Sequence, residues 1–324
     1  MIVIGLEGTA HTLGAGIIND KFSVLADVRK TYSPQKGGIH PRDASQFMVD
    51  NMKAALDEAL AQAGVKIDDV SLVSFSQGPG LGPCLRTIAT AARTLSLAYN
   101  KPVLGVNHCI AHIEVGNVLS GFKDPLVLYV SGANSQVIKL NDGRYRVFGE
   151  TLDVGIGNML DKFGREVGLQ HPAGPKIEEL ARKSKNFIEL PYVVKGTDLS
   201  FSGMLTSALQ KHKAGVPLED LCYSLQETSF AMLCEVTERA LAHLKAKEVL
   251  LAGGVGYNKR LQEMVRLVAE EHGAKLDYPG KYMGDNGVMI AMLGKKMHDA
   301  GVRMKIEDTI VKQNQRTDDV DVVW

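Results

Sequence analysis

His108 and His112 stand four residues apart in His108-Cys109-Ile110-Ala111-His112, so a helix there turns both imidazoles to one side, where they can close on a single metal ion. Spacing alone does not separate ligands from ordinary buried or surface histidines. A metal centre also needs further ligands from elsewhere in the chain, and the surrounding elements must supply them.

The 324 residues suffice for two domains with buried cores, and a composition of 45% hydrophobic and 23% charged residues excludes disordered and fibrous classes. Lys+Arg and Asp+Glu balance at 37 each, which removes any global attraction to nucleic acid and leaves RNA contact to a local patch or a basic partner. The cysteines at 84, 109, 222 and 234 form no Cys-x-x-Cys pair, and residues 1–4 run straight into Gly5 and Glu7 without a signal-peptide pattern. A reduced, cytoplasmic protein with no membrane contact is expected, because the apolar run 125–138 is too short to span a bilayer and carries Ser, Asn and Gln.

The elements that position the histidines follow from pattern. Residues 2–6 read as a buried strand, 7–11 as a tight turn, 13–18 as the returning strand and 21–29 as a third. A loop through Gly37 and Gly38 leads to a helix over 43–63, with Asp43 as N-cap. Strand 70–76 feeds the loop 77–83, which either offers backbone N–H groups to an anion at a helix start or makes a tight crossover. After a short strand over 101–106, Asn107 caps the histidine helix. Residues 126–130 then repeat the opening strand and Ser131-Gly132-Ala133-Asn134-Ser135 repeat its turn. This duplication predicts two related α/β domains that face each other: residues 1–125, to which 293–324 return, and residues 126–292.

Gly155-Ile156-Gly157-Asn158 opens a helix but lacks the third glycine of a dinucleotide fingerprint, and no P-loop pattern exists. Most local basic character lies in 182–213, which reads as a solvated face, with RNA contact as the lesser alternative. Helices are expected over 219–244 and 259–272, and from the Gly284-Asp285-Asn286-Gly287 turn to 300. Between the first two, Gly253-Gly254-Val255-Gly256-Tyr257-Asn258 follows a buried strand and lets a ligand lie close to the backbone.

Paired glycine hairpins, a late strand-Gly-Gly-x-x-x-Asn turn and the missing P-loop together resemble the actin/hexokinase/Hsp70-like (ASKHA) superfamily, in which two duplicated domains face an interdomain nucleotide cleft. The resemblance to one branch is closer. Glu7-Gly8-Thr9-Ala10-His11-Thr12, Gly78-Pro79-Gly80, Asn107-His108 with His112, Tyr129-Val130-Ser131-Gly132, Gly155-Ile156-Gly157-Asn158 with Asp161, Phe201-Ser202-Gly203, Gly253-Gly254-Val255 with Asn258, and Gly284-Asp285-Asn286 are similar to the universal tRNA N6-adenosine threonylcarbamoyltransferase family. That family includes TsaD of bacteria and the catalytic subunit of the archaeal and eukaryotic KEOPS complex. Gly38-Ile39-His40-Pro41 and Phe201-Ser202-Gly203-Met204-Leu205 look closer to the archaeal type.

The resemblance implies His108, His112 and Asp285 as metal ligands, joined by the phenolate oxygen of Tyr129. Two imidazoles with acidic oxygen donors suit iron or zinc, iron ranking first. It also implies a phosphate hairpin over Tyr129, Val130, Ser131, Gly132, Ala133 and Asn134, ribose contacts from Asp161 and Glu178, and sugar or base contacts at Gly174, Gly254 and Asn258. Taken singly, Asp161 also reads as a helix-surface carboxylate and Asn258 as a helix cap. Ala133 and Ala173 stand where the family commonly has glycine, at a cost of about 1 kcal/mol wherever φ must be positive.

The implied reaction is transfer of a threonylcarbamoyl group from threonylcarbamoyl-AMP to N6 of the tRNA adenosine beside the anticodon, with AMP leaving. Glu7 is the expected proton acceptor and His11 a weaker candidate. Implied partners are tRNA, a small protein kinase and other small KEOPS-type subunits, the kinase in some archaea being fused behind this domain. A metalloprotease is the first alternative, but the histidine motif lacks the glutamate of His-Glu-x-x-His that activates water. An ATP-dependent metabolite kinase of the same superfamily is the second.

Overall fold

Strands β1 (Val3–Glu7), β2 (Thr12–Ile18) and β3 (Val24–Thr31) form an antiparallel meander. Strands β4 (Leu72–Gly78) and β5 (Val103–Asn107) extend it in parallel on the far side of β1, giving the order β3-β2-β1-β4-β5. In the second half, β6 (Leu126–Val130), β7 (Ser135–Asn141) and β8 (Arg144–Glu150) repeat the meander. A short hairpin, β9 (Val194–Lys195) and β10 (Asp198–Leu199), stands apart, and β11 (Glu248–Ala252) and β12 (Lys275–Asp277) supply the parallel strands of a sheet ordered β12-β11-β6-β7-β8. The computed structural model describes residues 1–34 and 38–324, so the predicted Gly37 turn lies outside the described residues.

Helices α1 (Pro41–Ala63) and α2 (Gly82–Tyr99) cover the outer face of the first sheet, where Ile4, Leu6 and Leu13 meet Met48 and Ile88. Helix α3 (His108–Ser120) carries the histidines. Helices α4 (Ile156–Glu166), α5 (Gly174–Ala181), α6 (Ser202–Lys213), α7 (Leu218–Leu244) and α8 (Lys259–Glu271) contribute to the outer core of the second sheet. Helix α9 (Gly287–Asp299) returns to β1, β2 and β4. A third core lies between the sheets: α3 and α9 pack there against Val3 and Leu104 from one sheet and Val127, Tyr129 and Leu250 from the other. Because side chains alternate along a strand, Leu126, Leu128 and Val130 face outward while Tyr129 faces this inner layer.

Local contacts bear on three of the sequence readings. The N-cap of α1 is His40, with Pro41 at the first helical position; Asp43 sits in the first turn, where its charge suits the helix dipole. The 77–83 loop is a packed crossover: the Gly80 N–H donates to Gln313 O (3.1 Å) and that of Leu81 to Thr9 O (2.7 Å), so neither is left for an anion. Helix α9 lies on the first sheet from its first residue, so we place the return to the first unit at Gly287 rather than 293.

That last contact is backbone on backbone. A Cβ at Gly5 would stand 2.2 Å from Gly287 O and 2.3 Å from Ala291 N, and one at Gly16 would stand 2.2 Å from Val288 N. Gly5→Ala is therefore expected to cost ~3 kcal/mol in urea unfolding. Gly203→Ala on α6, whose Cβ meets nothing within 4 Å among the described residues, should stay within ~0.5 kcal/mol. Equal midpoints for the two variants would contradict the contact.

Candidate metal centre and nucleotide cleft

Helix α3 starts directly at the end of β5. Asn107 closes the strand and caps the helix, its Oδ1 accepting the Ile110 N–H at 3.1 Å, so His108 is the first helical residue and His112 follows one turn later. Asp285 enters from the turn before α9, held by Asn286: Oδ1 of Asn286 accepts the Met289 N–H (2.9 Å) and its Nδ2 donates to Gly284 O (2.7 Å). Asp285 Oδ1 lies 3.2 Å from His112 Nε2 and 3.6 Å from His108 Nε2, and all three donor atoms fall within 4.8 Å of one another. Donors bound tetrahedrally at 2.0–2.1 Å stand about 3.3 Å apart, so the spacing fits one first-row ion.

Tyr129 strengthens the fit. Its ring centroid is 5.5 Å from that of His112, and its hydroxyl is fully buried without a hydrogen-bond partner among the described residues. Nδ1 of His112 is likewise unpartnered among them. A buried hydroxyl left as that of Tyr129 is costs about 1–3 kcal/mol, which a bound cation would offset.

The electrostatics run the same way. Burial opposes charge on Asp285, yet the hydrogen bond from His112 and the positive potential of His108 hold its carboxyl well below the usual range. Burial also opposes charge on His108, but Glu7 and Asp285 outweigh it and raise the imidazole to about 9. His112 is pushed down by burial and by His108, and burial drives the Tyr129 phenol well up. A cation entering here displaces protons from His108 and, if the phenolate ligates, from Tyr129.

Glu7 is not the cleft-facing carboxylate expected from the sequence. It is fully buried, with Oε2 3.0 Å from His108 Nδ1 and Oε1 accepting both the N–H (2.8 Å) and the hydroxyl (2.7 Å) of Thr9. This carboxylate–imidazole pair turns His108 Nε2 toward Asp285, the arrangement by which ligating histidines are commonly oriented. Thr9 stood in the sequence only within the Glu7–Thr12 motif and without a role of its own, although an acid and a hydroxyl two residues apart on a tight turn are a readable signal.

The residues expected to contact a nucleotide are tied to one another, or to each other's immediate neighbours, by hydrogen bonds. In the second hairpin the Asn134 N–H donates to Ser131 Oγ (3.1 Å), while Gly132 and Ala133 stay exposed. Ala133 has no positive φ and Ala173 sits at φ −80°, so neither alanine is strained. Asp161 Oδ1 accepts the Ala173 N–H (2.7 Å) beside Gly174, and Glu178 Oε1 accepts the Lys259 N–H (3.1 Å) beside Asn258. Asn258 is itself the cap of α8. Cβ atoms at Gly174 and Gly254 would meet nothing within 4 Å among the described residues, which leaves both open to a ligand. Arg182 and Lys183, in the basic stretch, pair with Glu178 and Glu179.

One further contact links the halves. His171 Nδ1 lies 3.3 Å from Asp161 Oδ2, and its ring meets that of His11 edge-on at 5.7 Å, across from the first hairpin.

Two sheets of one order, each headed by a hairpin turn, with a His-His-Asp group between them, define a duplicated ASKHA-type α/β protein. Solved structures agree on the fold: HypF of T. kodakarensis (TM-score 0.67, 15% identity, 96% of this chain and 49% of that one) and (R)-2-hydroxyglutaryl-CoA dehydratase component A of Acidaminococcus fermentans (0.58, 13%, 92% and 99%). The family model for tRNA N6-adenosine threonylcarbamoyltransferase, TsaD, matches residues 23–292. A Thermococcus kodakarensis protein of that name is 58% identical over the full length of both chains. A Methanothermobacter thermautotrophicus protein, named a probable bifunctional tRNA threonylcarbamoyladenosine biosynthesis protein, is 54% identical; all of this chain matches 61% of its length. The chain belongs to the tRNA N6-adenosine threonylcarbamoyltransferase family. It is a tRNA-modifying transferase, and the peptidase and metabolite-kinase alternatives fall away. No helix among the described residues is long and apolar enough to cross a membrane.

Proton release tests the ligand set. Near neutral pH the metal-free His108, with its value near 9, and Tyr129 are both protonated, so calorimetry in buffers of different ionisation enthalpy should show about two protons released per zinc bound. Affinity should rise with pH, because protons compete with metal for His108 below about 9. Tyr129→Phe should release one proton fewer; equal release would remove Tyr129 from the site.

Proposed function

We propose that this chain transfers the threonylcarbamoyl group of threonylcarbamoyl-AMP to N6 of the tRNA adenosine adjacent to the anticodon, with metal assistance and as the catalytic subunit of a complex. The observation that carries this reading is the convergence of His108, His112 and Asp285 beneath the unpartnered Tyr129 hydroxyl, directly before the Ser131 hairpin. When bound by these four residues, iron or, second, zinc would supply Lewis-acid polarisation of the carbamoyl oxygen.

The chain's own residues do the rest. Backbone and side chains over 131–134 take the phosphate of the adenylate, Asp161 and Glu178 take ribose hydroxyls, and Gly174, Gly254 and Asn258 border the sugar and base. For Asp161 this means exchanging its contact with His171 for a substrate hydroxyl. Fixing both reactants in this cleft lowers the entropic barrier for a weakly nucleophilic exocyclic amine. The amine's proton needs an acceptor with a free lone pair. Glu7 is fully buried and three of its roughly four acceptor sites are taken, so we assign it the orientation of His108; His11, whose Nδ1 is unpartnered among the described residues, is the acceptor this leaves on the first hairpin.

Zero net charge leaves several tRNA phosphates to be met by partners. We take these to be a small protein kinase and other small KEOPS-type subunits, separate or fused; the longer bifunctional relatives support a fused second activity. A cytoplasmic location follows from tRNA as substrate.

Single-turnover transfer from synthetic threonylcarbamoyl-AMP to unmodified tRNA tests the reaction, and failure of the reconstituted complex to transfer would overturn it. Glu7→Gln should weaken metal binding ~10- to 100-fold, with transfer recovering at saturating metal. Transfer that stays lost at full occupancy would return the proton to Glu7.

A further inference from the structure

The two histidines work as a pair only if α3 cannot rotate about its axis, and a second cluster holds the other side of that helix. Glu114 lies two residues beyond His112, about 200° around the helix. Its side chain is 2% exposed and belongs to no part of the cleft already described. Oε1 accepts the Trp324 Nε1–H (2.8 Å) and the Tyr145 hydroxyl (2.8 Å), while Oε2 pairs with Lys296 Nζ of α9. These donors come from β8 in the second sheet, from α9 and from the C-terminal segment, so one carboxylate joins three elements remote from each other in sequence.

The C-terminal segment reaches Glu114 along a defined path. Arg316 O accepts the Asn107 Nδ2–H at 3.3 Å, at the very cap of α3. Thr317 is buried, Asp321 bridges and ion-pairs with Arg144 (2.6 Å), and the Val322 N–H donates to Gly143 O (2.7 Å). Residues 316–324 thus run as a strap from the start of the histidine helix, along the edge of the second sheet, to the back of the same helix.

We propose that Glu114 and Trp324 are positioning residues for the metal centre: the strap closes on Glu114, fixes the rotation of α3 and thereby sets the mutual orientation of His108 and His112. This rests on the reading of the histidines as metal ligands. A buried carboxylate is stable only while its donors are in place, so loss of one N–H or O–H on this side is relieved by a shift of the helix that is felt on the other.

The experiment is Co2+ binding to metal-stripped, full-length protein, measured by competition with a chromophoric chelator and by visible d–d absorption, with nucleotide affinity determined in parallel. Trp324→Phe removes the N–H and keeps an aromatic ring, and Tyr145→Phe removes only a hydroxyl. Each should weaken Co2+ binding about tenfold and alter the absorption, leaving nucleotide affinity within about twofold of the parent. Parent-like affinity and absorption in both variants would overturn the proposal. So would a matching loss of nucleotide affinity, which general loosening of the fold produces. If the parent itself binds no Co2+, the metal reading fails first, and that outcome is distinct from either.

Discussion

Carboxylates placed between two β-sheets are the constraint from which much of this molecule follows. Glu7 and Glu114 are buried in the layer that α3 and α9 share with both sheets, and Asp285 lies against it. A buried carboxylate costs several kcal/mol unless paired and hydrogen-bonded. Each of these has its partners on a different element: His108 and Thr9 for Glu7, Lys296, Tyr145 and Trp324 for Glu114, and His112 with His108 for Asp285. Satisfying all three at once leaves α3 little freedom, and a helix without freedom is what a two-histidine ligand set requires.

The pairing also explains why the centre is poised for a cation. Asp285 is held ionised, His108 is held protonated by its acidic neighbours, and Tyr129 is kept a neutral phenol by burial. The proton on His108 occupies the place a metal would take, while the Tyr129 hydroxyl has no partner among the described residues. Glu7, by engaging Nδ1, leaves Nε2 as the nitrogen that faces Asp285.

Much of the frame was legible from local pattern. The strand-turn-strand unit at Ile4 and its repeat at Leu128 gave the duplicated sheets, and Asn107 announced the helix whose i, i+4 histidines meet Asp285. What local pattern could not give is fixed by contacts between residues roughly a hundred or more positions apart. Glu7 looks in sequence like a hairpin carboxylate free to face the cleft, and only its approach to His108 shows it to be buried. The 77–83 loop reads equally as an anion cradle or a tight crossover until the C-terminal segment takes the Gly80 N–H. Nor does anything local mark Trp324 as a donor to Glu114. Asn258 and Asp161 show the converse: the local roles of helix cap and loop anchor are real, and Asp161 nonetheless holds the backbone beside Gly174, which is open to a ligand.

The central claim is that one metal ion, held by residues of both halves, faces the adenylate in the cleft. It is tested most directly by anomalous scattering from crystals grown with metal and soaked with a non-transferable threonylcarbamoyl-adenylate analogue. The account predicts a single peak within about 2.0–2.3 Å of His108, His112, Asp285 and Tyr129 donors, with the carbamoyl end of the analogue directed at it. A peak elsewhere, or an analogue bound with its carbamoyl end turned away from these residues, would contradict it.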